Sequence, residues 1–249
     1  MKKILRKIFY AFCILLDWKH DRKARILMYH SFNVPNVFFN VTSGNFQKQI
    51  QYLKRKNYTF LTISGLVERI KKNESLNKVV VLTFDDAHID FKEIVVPLVK
   101  DIPVTIFWPT QISELVSTQG VICKLLSKTE IEPIKRSSNV EVGSHTATHP
   151  ELPQISFEEQ KRELTQSYND ISALGQKNIS FAYPRGKYNE QIKKLTKSVG
   201  YCCACTVQPG AVNNKSDLFA LPRISIDSST DFFAFRAKLS WLYATIYSI

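Results

Sequence analysis

The run Val79-Val80-Val81-Leu82-Thr83-Phe84-Asp85-Asp86 decides the architecture. Its four consecutive aliphatic residues leave no polar face. It therefore predicts a strand over residues 78–85 that is buried on both sides, as in a parallel sheet covered by helices. The strand delivers two adjacent carboxylates to its C-terminal end. Carboxylates this close repel, so one holds a proton unless a cation is present. The plainer alternative is that one aspartate caps a helix or loop.

Short apolar runs recur on either side, predicting further strands at 25–30, 59–63, 104–108, 140–144, 179–183, 201–207 and 223–226. Helix signals lie between them. Asn45 is placed to cap a helix at 46–56. Ser156 and Glu159 form a capping box ahead of a helix at 157–174, which Gly175 stops, and a further helix at 189–199 ends at Gly200. In the 157–174 helix, Phe157, Leu164, Tyr168, Ile171 and Leu174 share one face. This alternation predicts an α/β fold, a distorted (β/α) barrel of about seven or eight strands with its chemistry at the strands' C-terminal ends. Residues 111–139 read as a loop with helical pieces.

The composition is that of an ordinary globular chain. Of 249 residues, 44% are hydrophobic and 22% charged, which excludes a disordered polymer, a collagen-like repeat and a polytopic membrane protein. The formal net charge is +12, and half of it falls within residues 1–25. These basic residues flank an uncharged apolar run at 8–16, which is too short to span a bilayer as a helix. We therefore divide the chain into a basic, apolar segment, residues 1–22, and a catalytic domain, residues 23–249. The segment reads as a helix lying on an anionic membrane surface, with a secretory signal and an ordinary docked helix as alternatives. With the positive charge concentrated at one tail and no reading motif, no nucleic acid partner is expected. The cysteines are five, an odd number. Three of them (Cys202, Cys203 and Cys205) serve as small apolar residues in a predicted strand, which fits a reducing compartment. The expected location is cytoplasmic, peripheral at the inner membrane surface; export through an uncleaved N-terminal signal is the alternative.

Three further strand ends carry chemistry. The strand at 140–144 runs into His145-Thr146-Ala147-Thr148-His149, and two histidines four apart can face one metal ion, with a carboxylate completing the set. The strand at 179–183 ends in Pro184-Arg185-Gly186, a turn that can aim a backbone N–H at a developing oxyanion. The first strand ends in Tyr29-His30, and histidine can supply a proton near neutral pH. Each of these has a structural reading when taken alone.

Together Thr83-Phe84-Asp85-Asp86, His145-Thr146-Ala147-Thr148-His149 and Pro184-Arg185-Gly186 resemble the motifs, in order, of the polysaccharide deacetylase family, the NodB-like carbohydrate esterases. The flanking strands extend the resemblance over about residues 25–230. The early His30 is similar to the permuted subgroup that includes poly-N-acetylglucosamine deacetylases, in which the acid histidine comes first. No second Leu-x-His follows near the C-terminus, and the last histidine is His149.

The resemblance implies that Asp86, His145 and His149 bind a divalent metal, Zn2+ by preference. Asp85 would be the general base and His30 the general acid, and the N–H of Arg185 would hold the oxyanion. Arg223, in Leu221-Pro222-Arg223, would orient Asp85, with a surface ion pair as the alternative. The implied reaction removes an N-acetyl group from a sugar of an N-acetylated glycan or a lipid-linked sugar. An O-acetyl esterase and an inactive glycan-binding protein at the membrane are the alternatives.

This sequence departs from the family pattern at several points. Ala87 stands where the family has glycine after Asp-Asp, so a different local loop is expected. His88 follows and reads as a rim residue, with an extra site residue as the alternative. The arginine that the wider family places before the Pro-x-Gly turn is missing, because that run reads Asn178-Ile179-Ser180-Phe181. At the C-terminus, Phe232, Phe235, Leu239, Leu242 and Ile246 form one helical stripe, widened by Phe233, Trp241, Tyr243 and Tyr247.

Overall fold

The computed structural model describes residues 2–16, 22–137 and 139–246. Residues 17–21 of the N-terminal segment and the end of the C-terminal stripe, including Tyr247, therefore lie outside the described residues.

In chain order the elements begin with α1 (Lys2–Leu15), β1 (Arg25–Tyr29), β2 (Ser31–Phe32), β3 (Asn40–Val41), α2 (Ser43–Arg55), β4 (Thr59–Leu61), α3 (Ile63–Lys71) and β5 (Val79–Phe84). A π-turn at Phe91–Val95 leads into α4 (Val96–Leu98), followed by β6 (Val104–Trp108), β7 (Glu114–Val116), β8 (Ile122–Lys124) and α5 (Lys128–Ser137). Then come β9 (Val140–Ser144), α6 (Phe157–Ser172), β10 (Ser180–Ala182), α7 (Glu190–Val199), β11 (Cys203–Cys205), β12 (Ile224–Ser225), α8 (Phe232–Leu239) and α9 (Trp241–Ile246).

The main sheet is all parallel. Seven strands follow the order β11-β10-β9-β6-β5-β1-β12. The eighth, β4, pairs with the first half of β5 (Thr59 with Val79), below the point where β6 takes over the same edge (Thr83 with Thr105). A parallel bridge between Cys205 and Leu221 brings the two ends of the path together. This is the distorted barrel expected from the alternation of elements.

The two-residue period of the strands sorts the core. Ile26, Val79, Val81, Phe107, Ala182, Cys203 and Cys205 form one cluster inside the barrel. The alternate residues Leu27, Val80, Leu82, Ile106, Val142 and Ala204 pack outward under the helices. Helix α3 closes the N-terminal end of the barrel. The Ile63 N–H donates to Thr105 Oγ1, and Ser64 donates through its N–H and its hydroxyl to Glu141. Gly143 of β9 must lack a side chain, because a Cβ there would lie 2.7 Å from the Phe107 ring and from Ser180 Oγ.

The structure differs from the sequence reading in four places. Helix α2 is capped by Thr42, not Asn45, because the Thr42 hydroxyl accepts the Asn45 N–H and the helix begins three residues earlier than expected. Residues 111–139 contain the antiparallel hairpin β7–β8 and the helix α5. The C-terminal stripe is two helices, since Ser240 is extended (ψ 156°) and accepts the Tyr243 N–H to start α9. The predicted strands lose residues at their ends to loops, as at β11, where only Cys203–Cys205 pair.

Candidate active site

The strand alternation that builds the barrel interior also delivers the site. On β1 the inward positions are Ile26 and Met28, and the next is His30. On β5 they are Val79, Val81 and Thr83, leading to Asp85. On β9 they are Glu141 and Gly143, leading to His145. All three reach the C-terminal mouth of the barrel without any special backbone.

Asp86 does need special backbone. As the neighbour of Asp85 it would face outward in an extended chain. Instead Asp86 and Ala87 both take left-handed conformations, with φ of 68° and 53°. This turns the Asp86 carboxylate back over the mouth. Alanine here takes a left-handed conformation that favours glycine, at a cost of about 1 kcal/mol. Thr146 and His149 are also left-handed. That tight loop is fixed by Glu163 of α6, which accepts the Ala147 N–H, the Thr148 N–H and the Thr148 hydroxyl at 2.7–2.9 Å.

The result is a cluster of Asp86, His145 and His149, each offering one ligand atom within 4.8 Å of the others. Asp86 Oδ1 lies 3.4 Å from His145 Nε2 and 3.3 Å from His149 Nε2. His145 Nδ1 lies 2.7 Å from the Ala182 carbonyl, which can only accept, so the proton sits on Nδ1 and the Nε2 lone pair faces the cluster. Asp86 Oδ1 is buried and without a hydrogen-bond donor. An orphaned carboxylate oxygen beside two imidazole nitrogens is the donor set of a three-ligand metal site, and the residues fit a divalent ion.

Burial alone would raise the Asp86 carboxyl, but the imidazoles around it hold it well below the usual carboxylate range. His149 is pushed down to about 4, chiefly by burial, which keeps it neutral.

Asp85 has a different partner. Arg223 is fully buried and grips it through two parallel hydrogen bonds, Nη1 to Oδ1 at 2.6 Å and Nη2 to Oδ2 at 2.7 Å. Arg223 is itself aimed by its Nε–H to the Thr206 carbonyl and by Nη1 to Thr83 Oγ1. Burial works to raise the Asp85 carboxyl, and the Arg223 charge outweighs it.

His30 stacks on Phe39, with ring centroids 4.6 Å apart, and its Nδ1 has no hydrogen-bond partner. Burial lowers its pKa against the pull of Asp85 and Asp86. Arg185 is left-handed, and its side chain is half exposed, 3.6 Å from Glu151. His30, Asp85, Asp86, His145, His149 and Arg185 line one cavity of about 530 Å³, which Phe39, Leu115 and Val116 also line.

His88 is not a rim residue. It is 7% exposed, and its Nε2 lies 3.4 Å from Asp86 Oδ2. Sequence reasoning also missed Glu163 and Phe39. Glu163 had a signal: Gln160, Leu164, Ser167 and Ile171 share the buried face of α6, so a carboxylate among them had to have an internal partner. Phe39 lies in a loop with no periodic pattern.

A parallel barrel whose carboxylates and imidazoles gather where the strands end defines a hydrolase of the NodB-like deacetylase fold. A family model described as polysaccharide deacetylase matches residues 72–204. That is more than half of the chain, which belongs to the polysaccharide deacetylase family, hydrolases of non-peptide carbon–nitrogen bonds. The chain is 27% identical over 225 residues to YxkH of Bacillus subtilis, whose name places it among polysaccharide deacetylases; the match covers 87% of this chain and 76% of YxkH. It is 26% identical over 201 residues to the poly-beta-1,6-N-acetyl-D-glucosamine N-deacetylase of Staphylococcus epidermidis, covering 76% of this chain and 69% of that one. Among solved structures, the Streptococcus pyogenes deacetylase PplD in complex with acetate is 29% identical with a TM-score of 0.74, covering 86% of this chain and 96% of that one.

Proposed function

We propose that the protein removes the acetyl group from an N-acetylated sugar of a polysaccharide or glycolipid, releasing acetate. One observation carries this reading. Asp86 Oδ1 is buried without a donor and faces Nε2 of both His145 and His149. These three residues would hold a divalent ion, and two nitrogens with one oxygen suit Zn2+. Such an ion, when bound, polarises an acyl oxygen and acidifies water.

The remaining work falls to the chain's own groups. Asp85 takes a proton from the attacking water. Arg223 keeps Asp85 ionised and fixes both its oxygens. The Arg185 N–H donates to the acyl oxygen as negative charge develops there. His30, as imidazolium, protonates the departing nitrogen, which would otherwise leave as a strongly basic amide anion. The carbon–nitrogen bond breaks, acetate and a free amino sugar form, and both side chains exchange protons with solvent. The aromatic face of Phe39 fits a sugar ring beside the acid.

Acetate release from N-acetylated and O-acetylated glucosamine oligomers tests this reading. The wild type should release acetate from the N-acetylated substrate, and Asp85→Asn should lose that activity while still binding zinc. Undiminished turnover by Asp85→Asn would reject Asp85 as the base. Release from the O-acetylated substrate alone would reject the N-deacetylase reading.

The place of action is inferred from α1. Tyr10 and Cys13 are buried in the core cluster shared with α8, yet Ile4, Leu5, Ile8, Phe12 and Leu15 remain 49–77% exposed. At 100° per residue, these five lie together on the side away from Tyr10 and Cys13. An outward apolar stripe among basic residues suits an anionic lipid surface at the cytoplasmic side. No described helix is long and apolar enough to cross a membrane.

A further inference from the structure

His88 lies beside the proposed metal site, and the mechanism above does not use it. It is absent from the cluster formed by Asp86, His145 and His149. Its Nε2 faces Asp86 Oδ2, whereas both other imidazoles face Oδ1. The carboxylate is therefore divided, with one oxygen engaged by His88 and the other buried and without a donor. His88 is itself locked in place. An antiparallel bridge joins it to Leu125, and the Leu126 N–H donates to the Ala87 carbonyl at 2.8 Å. The segment after the β7–β8 hairpin thus clamps the left-handed turn at Asp86 and Ala87.

We propose that His88 is a positioning residue for Asp86: its Nε2–H holds Oδ2 and so presents Oδ1 alone to the divalent ion. A carboxylate free to rotate would offer either oxygen, or both, at the edge of the cluster. An imidazole held by backbone pairing removes that freedom before the ion arrives. Partners of this kind, which orient a ligand without touching the ion, contribute about 10–100-fold in metal affinity. The inference rests on the metal-site reading above but concerns a residue that reading leaves without a role.

The test is zinc affinity of the full chain, measured by competition with a chromogenic chelator, for wild type, His88→Phe and His88→Gln. Phenylalanine fills the ring's space without a donor, and glutamine places an amide N–H near the Nε2 position. His88→Phe should bind zinc about 10–100-fold more weakly, and His88→Gln should recover most of the loss. Melting temperatures of the three zinc-free proteins should agree closely, which separates positioning from folding. Wild-type affinity in His88→Phe overturns the proposal, and equal weakness in His88→Gln overturns the role of the donor. A wild type that fails to bind zinc at all overturns the metal site itself, and this inference with it.

Discussion

Arg223 and Asp85 meet in the barrel interior through two parallel hydrogen bonds of 2.6 Å and 2.7 Å, with neither side chain more than 3% exposed. Asp85 directly follows β5 and Arg223 directly precedes β12, strands that flank β1 on opposite sides, and the two residues are 138 apart in sequence. The planar guanidinium matches both carboxylate oxygens, which a lysine cannot do. The pair therefore supports both the position of Asp85 and the stability of the barrel.

Removing the arginine would strand a buried charge. Arg223→Leu should destabilise the fold by about 3–5 kcal/mol, and Arg223→Lys should cost less while still lowering kcat. Urea unfolding of both variants checks the order. Equal stability of Arg223→Leu and wild type would show that the pair contributes nothing net.

His30 is needed because an amine leaves poorly. His30→Ala should lower kcat by about 10²–10⁴-fold on an N-acetylated sugar. On an aryl acetate ester, whose leaving group needs no proton, the loss should be far smaller. Parallel losses on both substrates would mean that His30 acts on binding or on the attacking water, not on the leaving group.

Glu141 gives the pH dependence a source distant from the cluster. It is 5% exposed and accepts from Ser64 and Ser180. Burial raises its carboxyl above the ordinary value, and the Ser64 hydrogen bonds oppose this. Between the ordinary and the raised value the unfolded chain ionises first. Stability from this group is therefore fully present at low pH and falls as pH rises through that window. Glu141→Gln should flatten that slope and be no less stable than wild type at pH 7. Melting curves from pH 4 to 8 decide this, and identical slopes would contradict it.

The surface of α1 makes a separate prediction. Ile8→Asp with Phe12→Asp should abolish sedimentation with phosphatidylglycerol vesicles and leave acetate release from a soluble oligomer unchanged. Wild-type protein that stays in the supernatant with anionic vesicles would reject the lipid surface. Dimerisation lost in the double variant would instead make a second copy the occupant.

Much of this was legible in the sequence because strand ends do the positioning. The Val79–Phe84 strand, the histidine pair after β9 and the Pro-x-Gly turn after β10 are local patterns, and the parallel barrel brings them together. Tertiary pairings were harder to read. Arg223 reads as either a surface ion or a partner for Asp85 until the barrel closes. His88 reads as a rim residue because nothing local shows that the chain after β8 covers it. Thr42 and Asn45 are both acceptable caps three residues apart, and the Asn45 N–H, by donating to the Thr42 hydroxyl, places Asn45 within the first turn. Ser240 breaks the last helical stripe within an apolar run that carries no glycine or proline.

The central claim is that Asp86, His145 and His149 hold one divalent ion. The most direct measurement is metal content after removal of all metal, reloading with zinc and desalting. The account predicts about one zinc per wild-type chain and little or none in Asp86→Ala, His145→Ala or His149→Ala, with each variant still folded by circular dichroism. No zinc in the wild type, or one per chain in all three variants, would contradict it.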